Sequence, residues 1–263
     1  MRTRLQLAAL AACVVTAVPA DAATPPSKAT KATVAKSAAT LDPDASAALN
    51  RMGAYLRTLN TFEVTSDSTM EEVLGSGQKL QFINRVRYVV GGPDKLYSEI
   101  RSDRRDMRLF YDGKALTVEN RANGFYAVAP ISGTIGELLR KADEQYGIDF
   151  PLQDLFRWGS MTASAATPKE GFKVGPERIG KYTTDHYAYR QDGVDFQIWI
   201  EQGDKPLPRK MVVTTLTDPA QPQYVAYFTW KTDSKVEPKL FTFAPGKDSA
   251  KISFATPAAA AAK

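Results

Sequence analysis

Lys79-Leu80-Gln81-Phe82-Ile83-Asn84-Arg85-Val86-Arg87-Tyr88-Val89-Val90 is the stretch on which the fold turns. Leu80, Phe82, Val86, Tyr88 and Val90 occupy one phase of a two-residue period; Lys79, Gln81, Arg85 and Arg87 occupy the other. Successive side chains of a strand point to opposite faces, so this is a long strand with one dry face and one wet face. The period extends outward. It starts at Phe62, and beyond the quoted stretch Leu96, Ser98 and Ile100 alternate with Tyr97, Glu99 and Arg101. Met107, Leu109 and Tyr111 lead into Asp112-Gly113 and then Leu116 and Val118, which reads as a hairpin with a two-residue turn. Asn123-Gly124 and Asp192-Gly193 mark further turns. Residues 160–171 read as a loop, after which strands resume at 183–191, 194–201, 209–217 and 224–231. Phe196, Ile198 and Ile200 share a phase there, while Trp199 falls among Asp195, Gln197 and Glu201.

Helical spacing occurs in three places. Asp42 can cap a helix whose first residue is Pro43, with Ala45, Ala48, Leu49, Met52, Leu56 and Leu59 on one face. Thr134 and Glu137 form a capping box ahead of Ile135, Leu138, Leu139 and Ala142, and Gly147 suits a left-handed cap. A short helix starts at Pro151 with Leu152, Leu155 and Phe156 apolar, and stops near Gly159. A sheet of about nine or ten strands must curl, close or split. The expected class is mainly β (α+β): a curled antiparallel sheet forming a half-open barrel, plugged by short amphipathic helices, with room for an apolar cavity between them.

The ends of the chain read differently. Arg2 and Arg4 precede an apolar stretch from Leu5 to Val18, followed by Pro19 and the small-x-small site Ala20-Asp21-Ala22. Residues 1–22 are therefore a secretory signal peptide, and no later segment is long enough to span a bilayer. Leu10-Ala11-Ala12-Cys13 resembles a lipobox, but the apolar run continues past Cys13, which favours cleavage after Ala22 over lipid anchoring. Cys13 is the only cysteine, so a mature chain starting at Ala23 has neither disulfides nor a thiolate site. Residues 23–41 read as a disordered linker, 42–247 as one half-barrel domain and 248–263 as a disordered tail. The whole chain carries +5, and the excess sits in Arg2, Arg4 and the lysines of those tails. The folded part is neutral overall, which excludes the clustered basic face of a nucleic-acid binder.

Chemistry is sparse. His186 is the only histidine, which excludes multi-histidine metal sites; with no G-x-S-x-G elbow, it reads as a hydrogen-bonding strand residue beside tyrosines. Glu71 and Glu72 are adjacent on a strand and cannot converge on one substrate. Asp103 and Asp106 flank Arg104 and Arg105 in a solvated turn, and Arg101, Arg104, Arg105 and Arg108 form a local basic cluster, either a plain hairpin tip or a contact for anionic head groups or a partner. The expectation is no catalytic residue, no metal and no cofactor. Candidate cavity-lining residues are Phe82, Val86, Tyr88, Leu109, Phe196, Ile198, Met211 and Val213 from strands, with Leu152, Leu155 and Phe156 from the plug. Alternation alone does not say which face of each strand is concave.

The run from Asp185-His186-Tyr187-Ala188-Tyr189-Arg190-Gln191 through Phe196-Gln197-Ile198-Trp199-Ile200-Glu201 to Pro206-Leu207-Pro208-Arg209-Lys210 resembles a bacterial family of predicted periplasmic proteins. Asp112-Gly113-Lys114, Gly133-Thr134-Ile135 and Tyr146-Gly147-Ile148-Asp149 with Pro151-Leu152 look like the central block of the same family, and the match covers about residues 45 to 245. In that pattern tryptophan is common where this chain has Phe196, and cysteine where it has Thr184. The family is similar in expected fold to the periplasmic lipoprotein carriers and receptors of outer-membrane localisation, and to mycobacterial lipid-carrier lipoproteins. The resemblance implies a non-catalytic binder of an acyl-bearing lipid or lipoprotein. An envelope module that binds or senses a protein with the same fold is the alternative, and a hydrolase the third reading.

Overall fold

The alternation along Lys79–Val90 becomes the second strand of a twelve-stranded sheet. The computed structural model describes residues 40–148, 150 and 168–254. The predicted signal peptide, Cys13, most of the linker, the predicted helix at 151–158 and the chain end after 254 lie outside the described residues. In chain order the elements are α1 (Pro43–Thr58), β1 (Thr61–Val73), β2 (Lys79–Gly91), β3 (Leu96–Ser102), β4 (Arg105–Tyr111), β5 (Leu116–Asn120) and β6 (Phe125–Ala129). Then come α2 (Ile135–Tyr146), β7 (Glu170–Ile179), β8 (Tyr182–Gln191), β9 (Val194–Glu201), β10 (Pro208–Thr215), β11 (Gln223–Lys231), a 3-10 turn (Pro238–Phe241) and β12 (Ala250–Lys251). The sheet order is β12-β6-β5-β4-β3-β2-β1-β11-β10-β9-β8-β7, antiparallel except where β12 joins β6. Among the described residues the result is a single curled, open, mainly antiparallel sheet with two helices on its concave side.

Both helices start where their caps place them. The Asp42 carboxylate accepts from the backbone N–H of Asp44, and Pro43 opens α1. Thr134 and Glu137 close a reciprocal capping box on α2, and Gly147 ends it at φ 63°. Ala45, Ala48, Met52 and Leu56 of α1 join Ile135, Leu138, Leu139 and Ala142 of α2 in one buried cluster with the concave face of the sheet.

Four details depart from the expectations. The sheet has twelve strands rather than nine or ten. Strand β7 was hidden by Gly175-Pro176, which sit at a bulge in an edge strand, where a proline breaks no ladder. The Asp112-Gly113 turn is a four-residue loop, because the Asp112 carboxylate accepts from the N–H groups of both Lys114 and Ala115. The chain also continues in order beyond residue 247. Ala250 N–H donates to Gly124 and Ile252 N–H to Tyr126, backbone bonds that do not need an apolar sequence. At the opposite edge Leu41, assigned to the linker, bridges Gly171 and covers β7.

A second apolar cluster lies on the convex face. Val89, Tyr97 and Phe110 are buried there beneath Phe241, with Val236, Leu240 and Phe243 packed around them. The chain after β11 thus straps the outside of β2–β4.

Candidate functional site

Strand register lines the concave face with rows of side chains. Phe62, Val90, Leu96, Tyr111, Leu116 and Ala129 form the row nearest the helix-bearing end. Trp230, Val64, Tyr88, Ser98, Leu109, Val118 and Ala127 form the next. Then come Phe228, Ser66, Val86, Ile100, Met107 and Asn120. Two further rows run across the other half of the sheet: Tyr187, Ile198, Met211, Ala226, Ser68 and Asn84, then Tyr189, Phe196, Val213, Tyr224, Met70 and Phe82. From β8 to β6 no position in these five rows is charged; on the edge strand β7 the row of Tyr187 ends in Lys173.

All eight sheet residues named from the sequence stand in these rows. Val86, Tyr88, Leu109, Phe196, Ile198 and Met211 are buried; Phe82 and Val213 are half-buried. Leu152, Leu155 and Phe156 lie outside the described residues. Among the described residues, a cavity of about 310 Å³ opens between α1 and the ends of β8 and β9, lined by Ala48, Arg51, Asp185, Tyr187, Ile200 and Pro206 among others. None of the eight lines it; Tyr187 and Ile200 bring the concave face to its edge.

Sequence reasoning missed the polar atoms of this face. The hydroxyls of Ser66, Ser98 and Tyr224 are buried and have no hydrogen-bond partner. The Tyr224 hydroxyl neighbours those of Ser66 and Ser68 without meeting either in hydrogen-bonding geometry. Other buried hydroxyls do find partners: Tyr111 donates to Gly133 O at 2.6 Å, Tyr189 to Ala45 O at 2.9 Å and Ser68 to Asn84 O at 3.3 Å. Burial raises the phenol pKa values of Tyr224 and Tyr189, and that of Tyr111 to about 12, so all three remain proton donors. The readable signal was phase: Ser66 and Ser68 continue the inward set begun by Phe62 and Val64.

Arg51 of α1 lies beside Tyr187 on the concave side; the other charges near these rows sit at the margins or on the convex face, most of them in ion pairs. Lys173 meets Asp185 at 3.0 Å at the β7–β8 edge, and Arg104 holds Glu72 at 3.1 Å while lying 4.2 Å from the Phe82 ring. Glu71 turns the other way, to Lys79 and the Gln223 N–H. Arg101 faces Glu99 and Arg108 bonds Glu119, so the arginine cluster is shared between faces and partners and makes no common basic surface. Across the convex face Lys231, Glu63 and Arg87 form a chain of ion pairs that holds Glu63 below the usual carboxylate range, Arg87 being the main cause. A convex cleft of about 590 Å³ lies between these residues and the strap.

His186 stacks on Trp199 with ring centroids 3.9 Å apart and bonds the Gln197 side chain at 2.9 Å. Its other nitrogen lies 3.6 Å from Glu177, and no serine is among its partners. Among the described residues no group of three His, Cys, Asp or Glu side chains is placed to hold a metal, and no helix is long and apolar enough to cross a membrane.

No curated protein sequence matches this chain. Several solved structures are similar to it. LprF from Mycobacterium bovis is 14% identical with a TM-score of 0.46, over 79% of this chain and 100% of that one. The lipoprotein LppX from Mycobacterium tuberculosis is 12% identical with a TM-score of 0.43, over 74% and 100%. A LolA superfamily protein from Nitrosomonas europaea is 10% identical with a TM-score of 0.38, over 76% and 97%. Residues 45–255 match the model of the family described as predicted periplasmic protein, DUF2092, and this chain belongs to that family.

Proposed function

We propose that this chain is a non-catalytic periplasmic carrier or receptor for an acyl-bearing ligand, a lipid or a lipidated chain, held between the helices and the concave face. The observation that carries the reading is a sheet face of five rows that hold no charged side chain from β8 to β6. Each methylene transferred from water to such a face contributes roughly 0.8 kcal/mol. Uptake requires the helices to move, and α2 is suited to that. Ile135 N–H bonds Pro93 O at its start, but its buried face is otherwise Leu138, Leu139 and Ala142, which grip without direction. The test is to purify the chain natively, extract it with organic solvent and seek lipid by mass spectrometry. Bound acyl lipid is the expected result; no lipid, together with no uptake of a fluorescent acyl lipid, overturns the reading.

A second reading, docking of an envelope protein, draws on Ile83 and Tyr227, exposed at 75% and 47% on convex positions flanking β1. Periplasmic crosslinking through Tyr227 would then recover a protein partner while the concave face stayed empty.

A further inference from the structure

We propose that the part of the ligand seated on the concave face is an uncharged, ester-linked acyl chain, and that the hydroxyls of Tyr224, Ser66 and Ser98 receive its carbonyl oxygens. The inference rests on the acyl-binding reading and narrows it.

The first support is the absence of charge from these rows around the β1–β11 seam, where Ser66 and Tyr224 lie. An ionised head group there would meet no counter-charge, and a buried charge without a partner is strongly unfavourable. The ionic groups on this side of the sheet are Arg51 of α1 and the Lys173–Asp185 pair, which gather around Tyr187 on β8, and the Glu72–Arg104 pair at the end of β1. A charged head therefore stays at the rim while its chain enters.

The second support is the three lone hydroxyls. A buried hydroxyl without a partner is disfavoured by about 1–3 kcal/mol, and most proteins leave few of them. Here Tyr111, Tyr189 and Ser68, in the same face, are all bonded. Ser66, Ser98 and Tyr224 are not. A plain hydrocarbon would leave them lone; an ester carbonyl accepts from them. Two of the three are neighbours: Tyr224 pairs with Met70 in the register, and its side chain reaches from β11 toward the hydroxyls of Ser68 and Ser66 on β1. Ala226 pairs with Ser68 in the same patch, so small side chains make a shallow place among larger ones.

The test uses the full delipidated chain and three fluorescent probes that share one alkyl chain: its methyl ester, its free acid at about pH 8, where the carboxyl is ionised, and the bare hydrocarbon. The ester should bind about fivefold more tightly than the hydrocarbon, the gain of a typical net hydrogen bond, and the carboxylate more weakly than either. Tyr224→Phe and Ser66→Ala should each lower ester affinity toward that of the hydrocarbon and leave the hydrocarbon unchanged. Ser68→Ala removes a hydroxyl already bonded to Asn84, so it should leave the ester's advantage intact. The two test variants should melt no lower than the native chain, because each removes a lone buried hydroxyl. Equal binding of ester and hydrocarbon, tighter binding of the carboxylate, or an ester preference that survives both variants overturns the inference while acyl binding stands. Failure of all three probes to bind removes the acyl reading along with it.

Discussion

Trp199 breaks the alternation of its strand because it belongs to a row on the convex face. Register sets it between His186 on β8 and Lys210 on β10, with Tyr227 next on β11. The indole stacks on His186, lies 4.3 Å from the Lys210 ammonium and donates to Glu177 at 2.7 Å. A large apolar ring is thus buried on the wet side by neighbours that keep their polar ends outward. The stack also sets the charge of His186. Burial holds its pKa below the ordinary 6.5, against the upward pull of Gln197 and Glu177. The unfolded chain takes up a proton near 6.5 while the folded chain does not, so the contribution of this residue is complete above 6.5 and is lost as pH falls through that value toward the folded one. Thermal melting should therefore drop as pH is lowered from about 7 to 5, and His186→Gln should flatten that drop. Glu63, Glu71 and Glu137 are lowered from 4.5, so what they contribute is lost only below that pH and leaves the histidine window clear. An unchanged slope in the variant would mean that His186 is not the titrating group.

At the scale of elements, the strap after β11 makes a specific claim. Gly91, the last residue of β2, lies under Phe241: a Cβ built there would collide with the Phe241 ring. Phe241 is 4% exposed and closes the convex cluster of Val89, Tyr97 and Phe110. Phe241→Ala should lower unfolding free energy by about 3–5 kcal/mol, and Gly91→Ala by about 1–3 kcal/mol through overpacking, both read by urea denaturation. If the two changes add fully in the double variant, the glycine is not making room for the ring. This cluster was only half legible in the sequence. Val89-Val90 and Leu109-Phe110-Tyr111 are continuous apolar runs, the mark of strands buried on both faces, but nothing local says that residues 236–243 supply the cover. Strands with alternation and helices with caps were legible, because those signals lie within a few residues. β7 and β12 were not, since an edge strand with Gly175-Pro176 and a two-residue parallel pairing leave no pattern of their own. The candidate face divides the same way. Alternation grouped Phe82, Val86 and Tyr88, and separately Phe196 and Ile198, but that both groups share one side depends on how β1 meets β11. The lone hydroxyls depend on what does not reach them, which no spacing can express.

Across the whole molecule, sheet order separates the chain into two meanders. From β1 to β6 every neighbour is also the next strand in sequence, and the same holds from β7 to β11. The meanders meet in the seam between β1 and β11, from Glu63–Lys231 to Met70–Tyr224, closed by an ion pair between residues 168 positions apart. The seam runs through the middle of the concave face: Ser66, Ser68, Tyr224, Ala226 and Phe228 all belong to it. A ligand seated there would touch both meanders, so binding and seam closure should reinforce each other. Loop-closure entropy delays contacts that are remote in sequence, so hairpins should form before the seam. Phe228 is a seam residue at 4% exposure, and Val86 lies in the β1–β3 meander at 2%. Phe228→Ala should remove about 3 kcal/mol or more and express it mainly as unfolding accelerated by about a hundredfold, with refolding little changed. Val86→Ala should instead slow refolding, because its partners Ser66 and Ile100 sit on adjacent strands of one local meander. Stopped-flow chevrons distinguish the two, and a Phe228→Ala chain that refolds in proportion more slowly would mean that the seam is made early and the meanders do not form as separate units.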